Sequence, residues 1–225
     1  MEKTEQIWRA EQYMKEVHQY DASGHDVAHV YRVVSLALYL ADQEDTSADA
    51  HVIHLAALLH DTVDEKLFRA QDAIEQLQRF LDEIELTHSE IEDIRHIIQY
   101  MSYRGGRNNH VTLSLEGQIV RDADRLDALG AIGIARTFQY AGHSGEAMWT
   151  GDASFEQLED APDEEIATLS PSAIRHFYEK LFKLRDLMHT ESGRALAEQR
   201  HQFMKQFVET FLTEWNFDKS QLDKK

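Results

Sequence analysis

Three short stretches of this 225-residue chain set ligating or proton-transferring side chains beside apolar ones. His60-Asp61 follows directly on the run Leu55-Ala-Ala-Leu-Leu59, so an imidazole and a carboxylate emerge at the end of a buried helix. Buried polar groups are costly unless paired, and one cation pairs both at once. Asp64-Glu65 come next, and Asp61 and Asp64, three apart, share a face if the helix continues. Upstream, His25 and His29 lie four apart and also share a face. Downstream, Asp122-Ala-Asp-Arg-Leu-Asp127 puts three carboxylates into an otherwise apolar helix. Asp124 and Asp127 fall on one side of it, while Asp122 points elsewhere and reads as a surface charge.

The elements that must hold these groups read as helices. Apolar residues recur at helical spacing, with only two prolines and ten glycines to interrupt them. The spacing predicts helices over about 4–18, 26–43 (buried stripe Val30, Val33, Val34, Ala37, Leu38, Ala41), 48–60 and 70–84. Thr87-His-Ser-Glu90 has the capping-box pattern and predicts a helix to about Met101. Tyr103-Arg-Gly-Gly-Arg-Asn-Asn109 ends it, and one long helix is predicted over about 113–140. Residues 142–168 are polar and acidic and read as a long loop. Ser170-Pro171 reads as an N-cap with proline in the first helical position, opening two last helices near 171–189 and 191–215. No strand alternation stands out. The expected class is all-α, one domain over 1–217 with a site core at about 24–130, a C-terminal helical extension at about 171–217 and a frayed tail at 218–225.

Composition narrows the function. Hydrophobic residues are 42% of the chain, enough for a sizeable core, and the net charge is −18. That balance argues against nucleic acid and anionic membranes as partners, since both need a basic footprint. An anionic small substrate then has to be met locally, by a cation or a few Arg and Lys. Without cysteine, thiolate chemistry, disulfides and Cys-type zinc sites are excluded. The opening stretch lacks an apolar signal region and Leu55–Leu59 is too short to span a bilayer, so the expected location is the cytoplasm. A homo-oligomer is left open.

In this order the motifs resemble the HD-domain metal-dependent phosphohydrolase superfamily, whose signature is H…HD…D. The matching stretches are Gly24-His-Asp-Val-Ala-His-Val-Tyr-Arg-Val33, Leu58-Leu-His-Asp-Thr-Val-Asp-Glu65 and Arg121-Asp-Ala-Asp-Arg-Leu-Asp-Ala-Leu-Gly130. Together they resemble the bacterial YedJ/YpgQ-like branch. The resemblance implies an HD-domain helical bundle holding one divalent metal through His29, His60, Asp61 and Asp124. Mn²⁺ is favoured, with Mg²⁺, Fe²⁺, Co²⁺, Ni²⁺ or Zn²⁺ as alternatives. His-Asp-x-x-Asp-Glu is also similar to the hydrolases of guanosine tetraphosphate, and on that likeness Asp64 and Glu65 take the role of activating water. The Gly-Tyr-Pro pattern of cyclic-dinucleotide enzymes is missing.

Most supporting residues carry more than one reading. Arg32 grips phosphate, holds a metal carboxylate in place, or makes a structural ion pair. Lys66 and His25 are substrate contacts or surface groups; His25 is also a candidate fifth ligand. His96 is a substrate contact or a satisfied core histidine. Arg104 and Arg107, in a glycine loop, cradle an anion or merely face solvent. Asp127 orients a His or Arg rather than binding metal directly. His51 and His54 read as packing or surface residues, and Trp149 as a lid anchor or a buried plug.

The leading function is hydrolysis of a nucleoside triphosphate to monophosphate and pyrophosphate. Alternatives are a nucleoside monophosphate phosphatase, an alarmone hydrolase and a non-enzymatic metal- or nucleotide-binding sensor. A di-iron oxygenase would need further ligands from His54, His88 or His96.

Overall fold

A computed structural model describes residues 1–19, 26–44, 47–63 and 70–217, with the side chains of Ala70 and Gln71 left aside. Among these residues there is no strand, only an isolated bridge between Ala147 and Ser172. The all-α expectation holds. The residues gather into two compact units. The first comprises Met1–Asp127 and Met188–Arg194, the second Ala128–Leu187 with the described residues from Ala195 on.

The first unit is built on α3 (Ala50–Leu59), whose Val52, Ile53, Leu55, Ala56, Ala57, Leu58 and Leu59 are all buried. A helix apolar all round can only be central. Against it pack α1 (Lys3–His18), α2 (Val27–Gln43), α5 (His88–Tyr100) and α6 (Leu115–Asp127). Of the expected α2 stripe Val30, Val33, Val34 and Ala37 are buried, Leu38 and Ala41 only partly so, and Leu40 is buried instead; Asp26 caps the helix by accepting the His29 N–H at 2.8 Å. At the start of α5 the capping box forms as the sequence predicts, with Thr87 and Glu90 bonded reciprocally. After α4 (Ala70–Glu83), Gln6 donates to the Ile84 carbonyl at 2.8 Å and its own carbonyl meets His51 Nε2 at 2.9 Å. His51 is thus a tie within the core.

Asp122 is buried, not the expected surface charge. Its carboxylate accepts the backbone N–H groups of His189 and Thr190 and the Thr190 hydroxyl, all within 3.0 Å. Helical phase alone showed only that Asp122 turns away from Asp124. What it turns toward is a segment far off in sequence, the start of the long helix α12 (Glu191–Asn216). A Cβ on Gly193 would come within 2.4 Å of Thr190 Oγ1 and 2.8 Å of Asp122 Oδ2, so glycine lets this turn close over the carboxylate.

In the second unit the long helix predicted to Tyr140 is interrupted. α6 ends at Asp127, and α7 (Gly130–Ser144) begins after Leu129, which is extended. Gly130 sits at φ +73°, a left-handed conformation that strains any other residue. The expected loop over 142–168 contains α8 (Phe155–Asp160), with its own Ser154/Gln157 capping box, and α9 (Asp163–Thr168). Helices of six residues are too short to show a period. Trp149 is buried, with Gly151 against its ring, which makes it a plug. Ser172, two residues later than expected, caps α10 (Ala173–His176) by accepting the Arg175 N–H. A π-helical turn (Phe177–Leu181), α11 (Phe182–Leu184) and a 3₁₀ turn (Arg185–Leu187) continue it. Phe138, Phe207 and Phe211, all partly buried, cluster around the buried Phe177 here. No helix among the described residues is long and apolar enough to cross a membrane.

The Asp122 contact carries a prediction. Asp122→Ala leaves two buried donors and one partly buried donor unanswered and should lower unfolding stability by on the order of 3 kcal/mol, read by urea denaturation. A loss within experimental error would show that the contact does not hold the segment.

Candidate metal centre

Three elements of the first unit bring the reactive groups together. α2 supplies His29 in its first turn, α6 supplies Asp124 and Asp127 near its end, and His60 and Asp61 follow the last turn of α3. The two imidazole Nε2 atoms are 3.3 Å apart. Asp61 Oδ2 lies 3.3 Å from His29 Nε2 and 3.2 Å from His60 Nε2. Asp124 Oδ1 approaches the same two atoms at 3.6 and 3.9 Å. Donors held about 2.1 Å from one cation at right angles lie roughly 3 Å from each other, so this spacing suits a shared ion after slight contraction.

Hydrogen bonds at the far side of each ring sharpen the argument. His60 Nδ1 faces the Ala57 carbonyl at 2.8 Å. A carbonyl only accepts, so the ring proton is on Nδ1 and Nε2 carries a lone pair. His29 Nδ1 faces Asp127 Oδ2 at 2.7 Å and is fixed in the same tautomer. Two lone pairs therefore converge on a point flanked by two carboxylates. Something positive has to sit there, a proton or a metal ion. The donor set of two nitrogens and carboxylate oxygens fits a divalent ion.

Asp127 is itself held. Arg32 Nε donates to its Oδ1 at 2.6 Å and Arg32 Nη2 to its Oδ2 at 3.0 Å. This fork locks the carboxylate that locks His29, an arrangement that orients metal-binding imidazoles. Arg32 therefore faces a carboxylate in this structure. The centre is closed on the histidine side, where both rings are buried, and open at Asp124, whose side chain is 29% exposed. Water or substrate can approach from there.

The carboxylates govern the charge of His60. Burial alone would lower its pKa, but Asp61 and then Asp124 outweigh it and push it up to about 9. The field that holds a proton at this point would hold a cation in its place.

The remaining expected site residues divide into those outside the described residues and those away from the cluster. His25, Asp64, Glu65 and Lys66 fall outside the described residues. His96 is exposed and stacks edge-to-face on Tyr100, because the Ile94, Ile97 and Ile98 stripe turns the opposite way. Arg104 and Arg107 are exposed, with Arg107 Nε donating to the Arg104 carbonyl. His54 is half-buried and His88 exposed, and neither enters the cluster. Sequence reading passed over Arg121 and Arg125, both buried in the same helix as Asp124. Their unusual burial has no sequence signal beyond their place in a carboxylate-rich motif.

Residues 27–129 match the family described as HD domain. YpgQ of Bacillus subtilis (strain 168) is 40% identical over 194 residues, 84% of this chain and 83% of that protein. Its crystal structure in complex with ADP superposes with a TM-score of 0.73 at 32% identity, covering 95% of this chain and 97% of that one. A structure from Lactobacillus plantarum gives a TM-score of 0.78 at 38% identity, covering 95% and 98%. An HD-superfamily hydrolase from Bacillus thuringiensis gives 0.72 at 37% identity, covering 96% and 100%.

Two outcomes test the geometry. In metal-free protein the raised His60 pKa contributes stability, on the order of 3 kcal/mol, that is fully present below pH 6.5 and lost as pH rises through about 9. Metal affinity must run the opposite way, because the ion competes with that proton. The melting temperature of chelated protein should thus fall between pH 6.5 and 9, while that of Mn²⁺-saturated protein should not. Parallel curves would contradict the shared position. Separately, Asp127→Asn should weaken Mn²⁺ binding by about 10- to 100-fold by calorimetry, since it upsets the His29 tautomer.

Proposed function

This chain belongs to the HD domain family, and from that premise we propose that it is a divalent-metal-dependent phosphohydrolase that cleaves nucleoside triphosphates to monophosphate and pyrophosphate. The observation that carries the reading is the convergence of His29, His60 and Asp61 on one point, with Asp124 at its open side. An oxygen- and nitrogen-rich site with an accessible edge is suited to phosphate chemistry. The ADP complex of YpgQ supports a nucleotide as the ligand. The similarity to an HD-superfamily hydrolase supports hydrolysis over mere binding.

On this reading His29, His60, Asp61 and Asp124 hold the ion, Mn²⁺ by preference. A divalent cation supplies polarisation of a phosphoryl oxygen and acidifies water when bound there. The chain's own groups do the rest. Asp127 and Arg32 hold the His29 ring with Nε2 aimed at the ion. Asp64 or Glu65 takes the proton from the attacking water, an assignment that rests on their position just beyond His60-Asp61. The water oxygen bonds to the α phosphorus, the α–β anhydride bond breaks, and the bridging oxygen departs with pyrophosphate. Nucleotides of the cytoplasm are the natural substrates for a protein with this chemistry.

Chromatography of a nucleotide panel with Mn²⁺, Mg²⁺ or chelator tests the reading. Triphosphates should yield monophosphate and pyrophosphate. His60→Ala and Asp61→Ala should lose ion and turnover together. Asp64→Asn should keep the ion and lose about 10²-fold in rate. Nucleoside and phosphate as products would instead make the protein a monophosphate phosphatase. No turnover with any ion would favour a sensor.

A further inference from the structure

The second unit carries a groove of its own. Buried Leu158 seats α8 in that unit, and two contacts strap the helix alongside α12. Asn216 Nδ2 donates to the Asp152 carbonyl at 3.4 Å just before α8, and Lys205 Nζ pairs with Glu159 near its end. α8 therefore runs antiparallel to the C-terminal half of α12, with Phe155, one turn before Leu158, held beside it. Between the two helices a cavity of about 490 Å³ opens to solvent, lined by Phe155, Gln202, Phe203, Lys205, Gln206 and Glu209. That volume lies within the roughly 300–1,000 Å³ span of small-molecule sites. Every lining residue belongs to the second unit, whereas the metal centre is built from the first.

The lining sets aromatic surface beside amides. Phe203 is 50% exposed, and Phe155 lies under Lys205 Nζ, 5.6 Å from its ring centroid. Gln202 and Gln206 are four apart and Glu209 three further on, so all three share one face of α12. The Gln202 amide gives one N–H to Glu198 at 2.7 Å, whereas the Gln206 amide and the Glu209 carboxylate have no hydrogen-bond partner among the described residues. Lys205 is neutralised by Glu159, which leaves the groove the single negative charge of Glu209. This charge repels an anion, and an apolar solute leaves the amides unpaired. A flat heterocycle meets both requirements. Bases stack readily on aromatic side chains, and a glutamine amide offers the donor and acceptor that match the edge of adenine. A carboxylate in turn accepts from sugar hydroxyls.

We propose that the groove between α8 and α12 binds a neutral adenine nucleoside, its base stacked on Phe203 and its edge on the Gln206 amide. Phe155 is the second wall, and Glu209 accepts from the ribose hydroxyls. Nucleotides bind less well, because a phosphate meets Glu209 while the lining cation, Lys205, is already paired. The site is separate from the hydrolytic reading: it needs no metal ion, and no bond breaks in it.

Calorimetric titration of the full chain with adenosine tests the site. Adenosine should bind saturably. Phe203→Ala, at an exposed side chain, should weaken it about tenfold, and Gln206→Leu about fivefold. Trp8→Ala, an exposed aromatic on α1, should leave it within about twofold. His60→Ala should do the same, since the groove lies outside the metal centre. In that His60 variant, where binding at the metal centre is removed, AMP should bind on the order of fivefold more weakly than adenosine. Circular dichroism melts establish that each variant is folded. Absence of saturable adenosine binding, an affinity within about twofold of wild type in folded Phe203→Ala, or AMP binding as tightly as adenosine overturns the proposal. Loss of adenosine binding in His60→Ala assigns the ligand to the metal centre and overturns it as well.

Discussion

Two imidazole lone pairs aimed at one another across 3.3 Å are unstable unless a positive charge lies between them. That constraint organises the first unit. The Ala57 carbonyl and the Asp127 carboxylate put a ring proton on each outer nitrogen, so the repulsion is relieved only by an added proton or a metal ion between the inner ones. Asp61 and Asp124 add negative charge at the same point. The facing nitrogens are relieved either by a proton on His60, which the carboxylates favour, or by a metal ion. Together they form a cluster suited to a divalent ion.

The surrounding helices are arranged to keep that receptor rigid. α3 is apolar on nearly all sides and ends at the imidazole and carboxylate, so the candidate metal site sits at the edge of the core. α2 and α6 pack on it and deliver His29, Asp124 and Asp127 from neighbouring turns. Deleting a large buried side chain here typically costs about 2–5 kcal/mol. A shift of the helices would also spoil ligand spacing, so packing and chemistry are coupled. Arg32 shows the same economy: one guanidinium satisfies a buried carboxylate and orients a ligand two contacts away.

Much of this was legible from residue types and spacing. Most of the α2 stripe, the apolar run of α3 and the Thr87 capping box are local signals and appear where the period and the cap residues put them, though Leu40 is buried where Leu38 and Ala41 were expected. His29 and Asp127 share a site because helical phase and motif order agree. Other features depend on contacts between residues distant in sequence. Asp122 looks like a surface charge until Thr190 and His189 close over it. The break after Asp127 hinges on Gly130, one glycine that helical periodicity runs straight through. α8 and α9 are too short to show a repeat. His96 was read beside its isoleucines, although its own phase puts it on the opposite face.

The most direct test of the central claim is metal stoichiometry and coordination in purified protein, by elemental analysis and Mn²⁺ electron paramagnetic resonance. The geometry predicts one tightly bound ion per chain in wild-type protein and none in His29→Ala. An ion-free wild type that ignores added Mn²⁺, two ions per chain, or an unchanged signal in His29→Ala would contradict it.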